Sequence, residues 1–277
     1  MRRHTIRRWT AGMIAILVSV VIFLVPFAFI LFQAAKTSSA ASLLSFELPK
    51  QWAIWDNFVT VLTTNDNMIV RAFLNSAVLT VVSVTIMVVF SAMVGYVLQR
   101  KRSRLNPIVN FFVLAGLIVP PAVVPTIWVL QGIGLFKTMT GMILIEATFG
   151  LSFCILLFRA FVASIPRELD EAAIIDGASP VRLFFSVVLP LLRPVVVTVI
   201  VVQSVAVFND FAGPLYFLPG DEHATVQLTL YNFQSQTLNL YNLLFMDILL
   251  ITIPPLLLYL FFNRQIVAGM TNGAIKG

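Results

Sequence analysis

The residues able to do chemistry are few, and one interval mixes acids and bases more than any other. The chain has 277 residues, with only 18 Lys or Arg and 12 Asp or Glu. Its longest charged interval runs from Ser164 to Pro194 and carries Arg167, Glu168, Asp170, Glu171, Asp176 and Arg182 between uncharged apolar stretches. These residue types suit contact rather than bond making. Ala172, Ala173 and Gly177 are small and fall on nearby positions of one side, and Leu169 and Ala173 share a face at a spacing of four. A helix with a small-residue side and an acidic edge fits closely into a groove of another protein. It equally fits a solvated connector between two membrane spans, since charged loop helices are ordinary.

Nothing elsewhere assembles a catalytic or metal-binding set. His4 and His223 are far apart. Cys154 is the single cysteine and lies in an apolar run, which excludes an intrachain disulfide and leaves no zinc pattern. The phosphate-cradling pattern GxxxxGK[ST] is absent, so no ATP is hydrolysed here by a P-loop. Gln203, Ser204, Asn209 and Asp210 cluster towards the end of one apolar stretch. An acid within a membrane is a functional suspect, but at the interface it costs little, so Asp210 reads either way. Asn75 suits a helix–helix hydrogen bond or a place along a polar path. Glu146 and Asp247 read as structural residues near an interface. Trp52, Trp55 and Trp128 read as interfacial anchors.

The elements that position these residues follow from composition. The chain is 59% apolar and 11% charged, which describes a polytopic membrane protein. The expected fold is all-α, with six transmembrane helices at about 11–33, 72–99, 108–131, 142–161, 187–208 and 244–262. A short helix near Trp52 to Leu62 is expected in an external loop, and the charged interval 164–190 joins the fourth and fifth spans. Of the 18 basic residues, 14 fall on the side of the termini and of this interval, and four (Lys36, Lys50, Arg71, Lys137) fall on the other. The positive-inside rule therefore puts both termini and the charged interval in the cytoplasm. Within the interval, Ser164 is the expected N-cap of a helix, with Pro166 in its first turn and Gly177 as its C′ stop. Ser179 and Pro180 start the next helix.

Glu171-Ala172-Ala173, Gly177 six positions after Glu171, and Val187-x-Leu189-Pro190 together resemble the EAA loop of the permease subunits of bacterial ABC importers, with Val187 where Ile is usual. The wording EAAIIDGAS and the tail Gly269 to Gly277 resemble the carbohydrate-uptake, maltose-type inner-membrane branch. The resemblance implies a permease of the bacterial cytoplasmic membrane, a second homologous permease, two cytoplasmic ATPase subunits and an extracytoplasmic solute-binding protein. It also implies membrane lipid around the chain, a sugar-type substrate and no nucleic acid. ATP and Mg would be bound by the ATPase, with no cofactor in this chain. Glu171, Ala172, Ala173, Asp176, Gly177 and Leu169 would couple to the ATPase. Gly273, Lys276 and Gly277 of the tail would reach it too, and Gln203, Asn209, Asp210 and Asn75 would line the path. The other class considered is an ion-coupled carrier or channel acting alone, which calls for ionisable pairs deep in the spans and often an internal inverted repeat.

Overall fold

A computed structural model describes residues 2–233 and 240–274. Every element in it is helical: α1 Arg2–Ala35, α2 Ser38–Ala41, α3 Ile54–Arg100, α4 Asn106–Ile118, α5 Val123–Gly132, α6 Met139–Ser164, α7 Glu168–Ile175, α8 Pro180–Leu183, a π-helical turn Phe184–Val188, α9 Leu189–Leu191, α10 Arg193–Phe208, α11 Ala212–Phe217, a 3₁₀ segment Val226–Phe233 and α12 Tyr241–Ala274. Among the described residues, four helices are long and apolar enough to cross a membrane (15–34 of α1, α3, α6 and 241–263 of α12). α8–α9 and α10 make a further span broken by a 76° bend.

The departures from the expected spans sit at prolines and at two polar breaks. The segment expected as one span over 108–131 is two helices, α4 and α5, parted around Pro120 and Pro121. Proline has no N–H to give and forces its predecessor out of the helical region. The fifth span bends at Leu192, between Pro190 and Pro194, and the π-helical turn comes just before Pro190. A missing donor at Pro190 frees the carbonyl of Ser186, and a widened turn is one way for a helix to absorb that. α3 is interrupted at Thr64–Asn67, where Asn65, Asp66 and Asn67 all take positive φ. Asn and Asp tolerate that conformation best among residues with a Cβ. The expected helix of Trp52–Leu62 is the part of α3 before this break.

The chain divides into two units. The first comprises 1–71 and 228–253. Its α1 exposes Ile16, Leu17, Ile22, Phe23 and Leu24, as a lipid-facing helix does. The stretch 36–71, expected to be a polar external loop, holds two buried polar side chains, Lys36 after α1 and Asn57 in the first turn of α3. The reason is the C-terminal end of α1, whose last carbonyls lack intrahelical donors. Asn57 Nδ2 donates to Ala34 O and Lys36 O, both at 2.8 Å, and Asn242 Nδ2 donates to Asn57 Oδ1 at 2.7 Å. Lys36 Nζ donates to Ser45 O at 2.7 Å.

The second unit comprises 72–227 and 254–277. Its core joins Met87, Val88 and Ala92 of α3, Met142, Cys154, Phe158 and Val162 of α6, and Leu183, Phe184, Val188, Leu192, Val195 and Val199 of the broken fifth span. α3 meets α6 at Gly95. A Cβ there would lie 2.9 Å from both Phe158 Cβ and Arg159 N, and 3.2 Å from Ile155 O. Small residues at such crossings let two backbones approach in a membrane, where apolar side chains gain little by leaving lipid.

Gly95→Val is therefore expected to force α3 and α6 apart at a cost of about 1–3 kcal/mol. Gly132→Ala, which meets nothing within 4 Å, serves as the control. Thermal unfolding midpoints of the purified protein in detergent check this: a drop is expected for the first variant and little change for the second.

Candidate functional site

The charged interval folds as the turn chemistry dictates, with one correction at its start. Ser164 is the last residue of α6 and not the N-cap of α7; its hydroxyl donates back to Phe161 O at 2.7 Å. Pro166 accounts for the shift. It holds Ile165 extended (φ −83°, ψ 128°) and so ends α6 before α7 can begin. Arg167 is the N-cap of α7 and makes no side-chain capping bond. Glu168, Asp170 and Glu171 fill the first turn, where negative charge suits the helix dipole.

The C-terminal end of α7 is a Schellman motif. Gly177 N donates to Ile174 O at 3.0 Å and Ala178 N donates to Ala173 O at 2.9 Å. Gly177 stands at φ +78°, which a residue without a Cβ adopts at no steric cost. Ala173 and Ala178 pack on the core beneath the motif. Ser179 Oγ then accepts from Arg182 N at 3.3 Å, with Pro180 first in α8, as the sequence predicts.

What the sequence did not disclose is the anchor under α7. Asp170 is only 8% exposed, although it sits in the most charged part of the chain. Its Oδ2 lies 2.8 Å from Arg100 Nε, an ionic contact, and accepts from Tyr96 Oη at 3.2 Å. Arg100 also donates through Nη2 to Ile165 O at 2.8 Å and to Pro166 O at 3.4 Å. Arg167 Nη2 adds a long bond to Gln99 O at 3.5 Å. The last turns of α3 thus hold both the entry to α7 and its first turn. Tyr96 also packs on Phe184 of the π-helical turn, with ring centroids 5.8 Å apart. Arg159 of α6 donates to Gln99 Oε1 at 3.3 Å and to Asn110 Oδ1 of α4 at 2.7 Å. Tyr96 and Arg100 are four positions apart, so both face the same way, and that spacing was the one available signal.

With Asp170 and Ala173 turned inward, α7 presents its other side to solvent. Glu168, Leu169, Glu171, Ala172, Asp176 and Gly177 are exposed, and so are Ile174 (59%) and Ile175 (85%), two apolar residues that the sequence reading passed over.

The residues expected along a path fall into separate settings. Gln203 is buried, with its Oε1 near Gly150 and its side chain within hydrogen-bonding reach of Cys154. Asn209 Oδ1 accepts from Gln227 Nε2 at 3.2 Å. Asp210 accepts from Ala212 N at 3.1 Å and Gly213 N at 3.0 Å, fixing the turn into α11. Its neighbour is Glu146 of α6, a buried acid that the sequence reading kept apart from it. Asn75 donates to Ala224 O at 3.1 Å and to Glu222 O at 3.3 Å, tying α3 to the loop before the 3₁₀ segment. Of the tail residues, Gly273 lies in α12, while Lys276 and Gly277 lie outside the described residues.

The model of the binding-protein-dependent transport system inner membrane component family matches residues 87–272, which include α7, its anchor and the broken fifth span. The chain belongs to that family. It is a multi-pass inner-membrane permease subunit, so it carries out transport and not a reaction of its own, and the lone carrier is set aside. Among similar proteins, the diacetylchitobiose uptake system permease protein NgcG of Streptomyces coelicolor is 32% identical over 92% of this chain and 85% of its own. The probable starch degradation products transport system permease protein AmyC of Thermoanaerobacterium thermosulfurigenes is 29% identical over the full length of both. MelC of Bacillus subtilis, a melibiose/raffinose/stachyose import permease, is 29% identical over 75% of this chain and 76% of its own. The fold is shared with a chain of a bacterial ABC transporter that imports the acidic polysaccharide alginate. That match has a TM-score of 0.80 and 19% identity, and covers 93% of this chain and 96% of the other.

Removing one member of a buried ion pair costs about 3 kcal/mol, because the other is left uncompensated. Asp170→Asn or Arg100→Gln alone is expected to raise tryptic cleavage after Arg167 by up to about a hundredfold, since cleavage follows the opened population. The double variant should fall well short of the product of the two. Fully multiplicative effects would show that the two side chains act independently.

Proposed function

We propose that this chain is one of two related permease chains of an ATP-driven importer of sugars or oligosaccharides, and that α7 seats in a cleft of a cytoplasmic ATPase subunit. The observation that carries this reading is the division of α7 into two sides. A solvated connector has no reason to leave Ile174 and Ile175 bare at its C-terminal end while burying its aspartate. An exposed apolar pair on a helix that also carries Glu168, Glu171 and Asp176 suits a protein groove with basic groups at its edge. Ala172 and Gly177 let the groove close tightly on the helix. The tail residues Gly273, Lys276 and Gly277 add a second contact to the ATPase, which binds the ATP and Mg.

The importer also takes an extracytoplasmic solute-binding protein, in keeping with the family's description. Six spans, with both termini in the cytoplasm, follow if α4 and α5 together make the third and the bent pair around Leu192 makes the fifth. The three relatives named above are all described by carbohydrate uptake, which supports a sugar-type substrate. The segment from Asn209 to Leu243 has no Lys or Arg, which suits an uncharged solute. Gln203, Asn209, Asp210 and Asn75 are the proposed path residues, exposed to solute when the spans rearrange around their prolines.

Ile175→Glu and Ala172→Arg change side chains that meet solvent in this chain. They should leave its amount in the membrane nearly unchanged. Each is expected to reduce co-purified ATPase by about thirtyfold, the effect of losing an interface hot spot worth about 2 kcal/mol. Sugar uptake should fall with it. Full ATPase retention and normal uptake in both variants would make α7 a plain connector.

A further inference from the structure

A groove of about 600 Å³ opens between the end of α3 and the start of α4, lined by none of the residues that hold α7. Its walls are apolar: Met93, Val94, Val97 and Leu98 on one side, Val109 on the other. Its mouth is basic, formed by Lys101 and Arg102. These two differ from their neighbour Arg100. Arg100 is neutralised by Asp170, whereas among the described residues neither Lys101 nor Arg102 has a side-chain partner, and both are exposed.

The mouth is also held in shape. Asn106 Nδ2 donates to Lys101 O at 2.8 Å, and Asn106 N donates to Ser103 O at 3.2 Å. Ser103 Oγ accepts from Leu105 N at 3.2 Å. α4 starts here without a side-chain cap, so its positive end adds to the field of the two cations. From Met93 to Lys101 the helix rises about 12 Å, most of one leaflet's half of a hydrocarbon core of about 30 Å. An occupant must therefore be an apolar chain lying along α3 with an anionic group at the level of Lys101.

We infer that this groove binds an anionic phospholipid, with an acyl chain against Val97 and Leu98 and the headgroup phosphate on Lys101 and Arg102. The site goes beyond the coupling role of α7 and rests on the same reading of which side is cytoplasmic. Charge complementarity selects the lipid over a second protein. A packed permease partner would have to bury two cations for which this chain supplies no counter-charge, whereas a phosphate between basic residues at the inner leaflet is matched by both. One consequence is that lipid composition acts on the same end of α3 that carries Tyr96 and Arg100.

The test uses the purified intact transporter and native mass spectrometry with added phosphatidylglycerol or phosphatidylcholine. The wild type is expected to retain phosphatidylglycerol in clear preference, and Lys101→Gln with Arg102→Gln should lower that retention by about tenfold or more. Lys101→Arg with Arg102→Lys should keep it. Val97→Trp, which fills the groove, should lower retention of both lipids. Equal retention of the two lipids by wild type, or unchanged retention in the double Gln variant, would overturn the site. So would a cysteine at Val97 that crosslinks to a second permease chain in native membranes. Lipid retention does not depend on transport. Sugar uptake measured on the same preparation therefore separates failure of the lipid site from failure of the importer reading.

Discussion

The arrangement depends on one buried ion pair. Asp170 of α7 and Arg100 at the end of α3 meet at 2.8 Å with little exposure of either side chain. In water such a pair would be worth little. Here it is shielded, it is joined by Tyr96, and the same guanidinium holds the carbonyls of Ile165 and Pro166. A helix of eight residues is too short to stand alone. Its stability has to come from what it rests on, and α7 rests on the last turn of a long membrane helix. In the proposed coupling, a push on the exposed side of α7 becomes a displacement of α3.

The membrane imposes the second constraint. Backbone groups in hydrocarbon must bond within the chain, so a helix can break only where something else takes over. Pro120, Pro121, Pro190 and Pro194 place the breaks, and the π-helical turn before Pro190 carries Phe184, which packs on Tyr96. The anchor of α7 thus touches the π-helical turn that leads into the bend of the fifth span. Gly95, five residues before Arg100, brings α3 against α6. Three helices are therefore tied together close to the base of α7.

Much of this was legible beforehand because it is written in local chemistry. The apolar stretches, the Ser179-Pro180 start and the Gly177 stop each follow from the preferences of a few neighbouring residues, and the EAA-like spacing is legible as a resemblance to a family. The anchor was not legible, because Asp170 and Arg100 are 70 positions apart and an exposed charge looks the same in sequence as a buried one. Ser164 misled for a related reason. A serine before a proline and an acidic turn has the form of a cap, but Pro166 had already committed Ser164 to the preceding helix. Ile174 and Ile175 carry no signal of exposure in sequence, because an apolar pair on a short helix is as easily buried as bare. Glu146 and Asp210 were read separately, and only the folding of α6 beside the end of α10 brings them together.

In the proposed coupling, α7 and the end of α3 move as one body. Pulsed electron paramagnetic resonance between spin labels at the exposed positions Val97 and Glu168 tests it, with the intact transporter measured without nucleotide and trapped with ATP. One narrow distance distribution is expected, unchanged between the two states and broadened by Asp170→Asn. A distribution that shifts on ATP trapping while the ion pair is intact would mean that α7 moves against α3, and would contradict it.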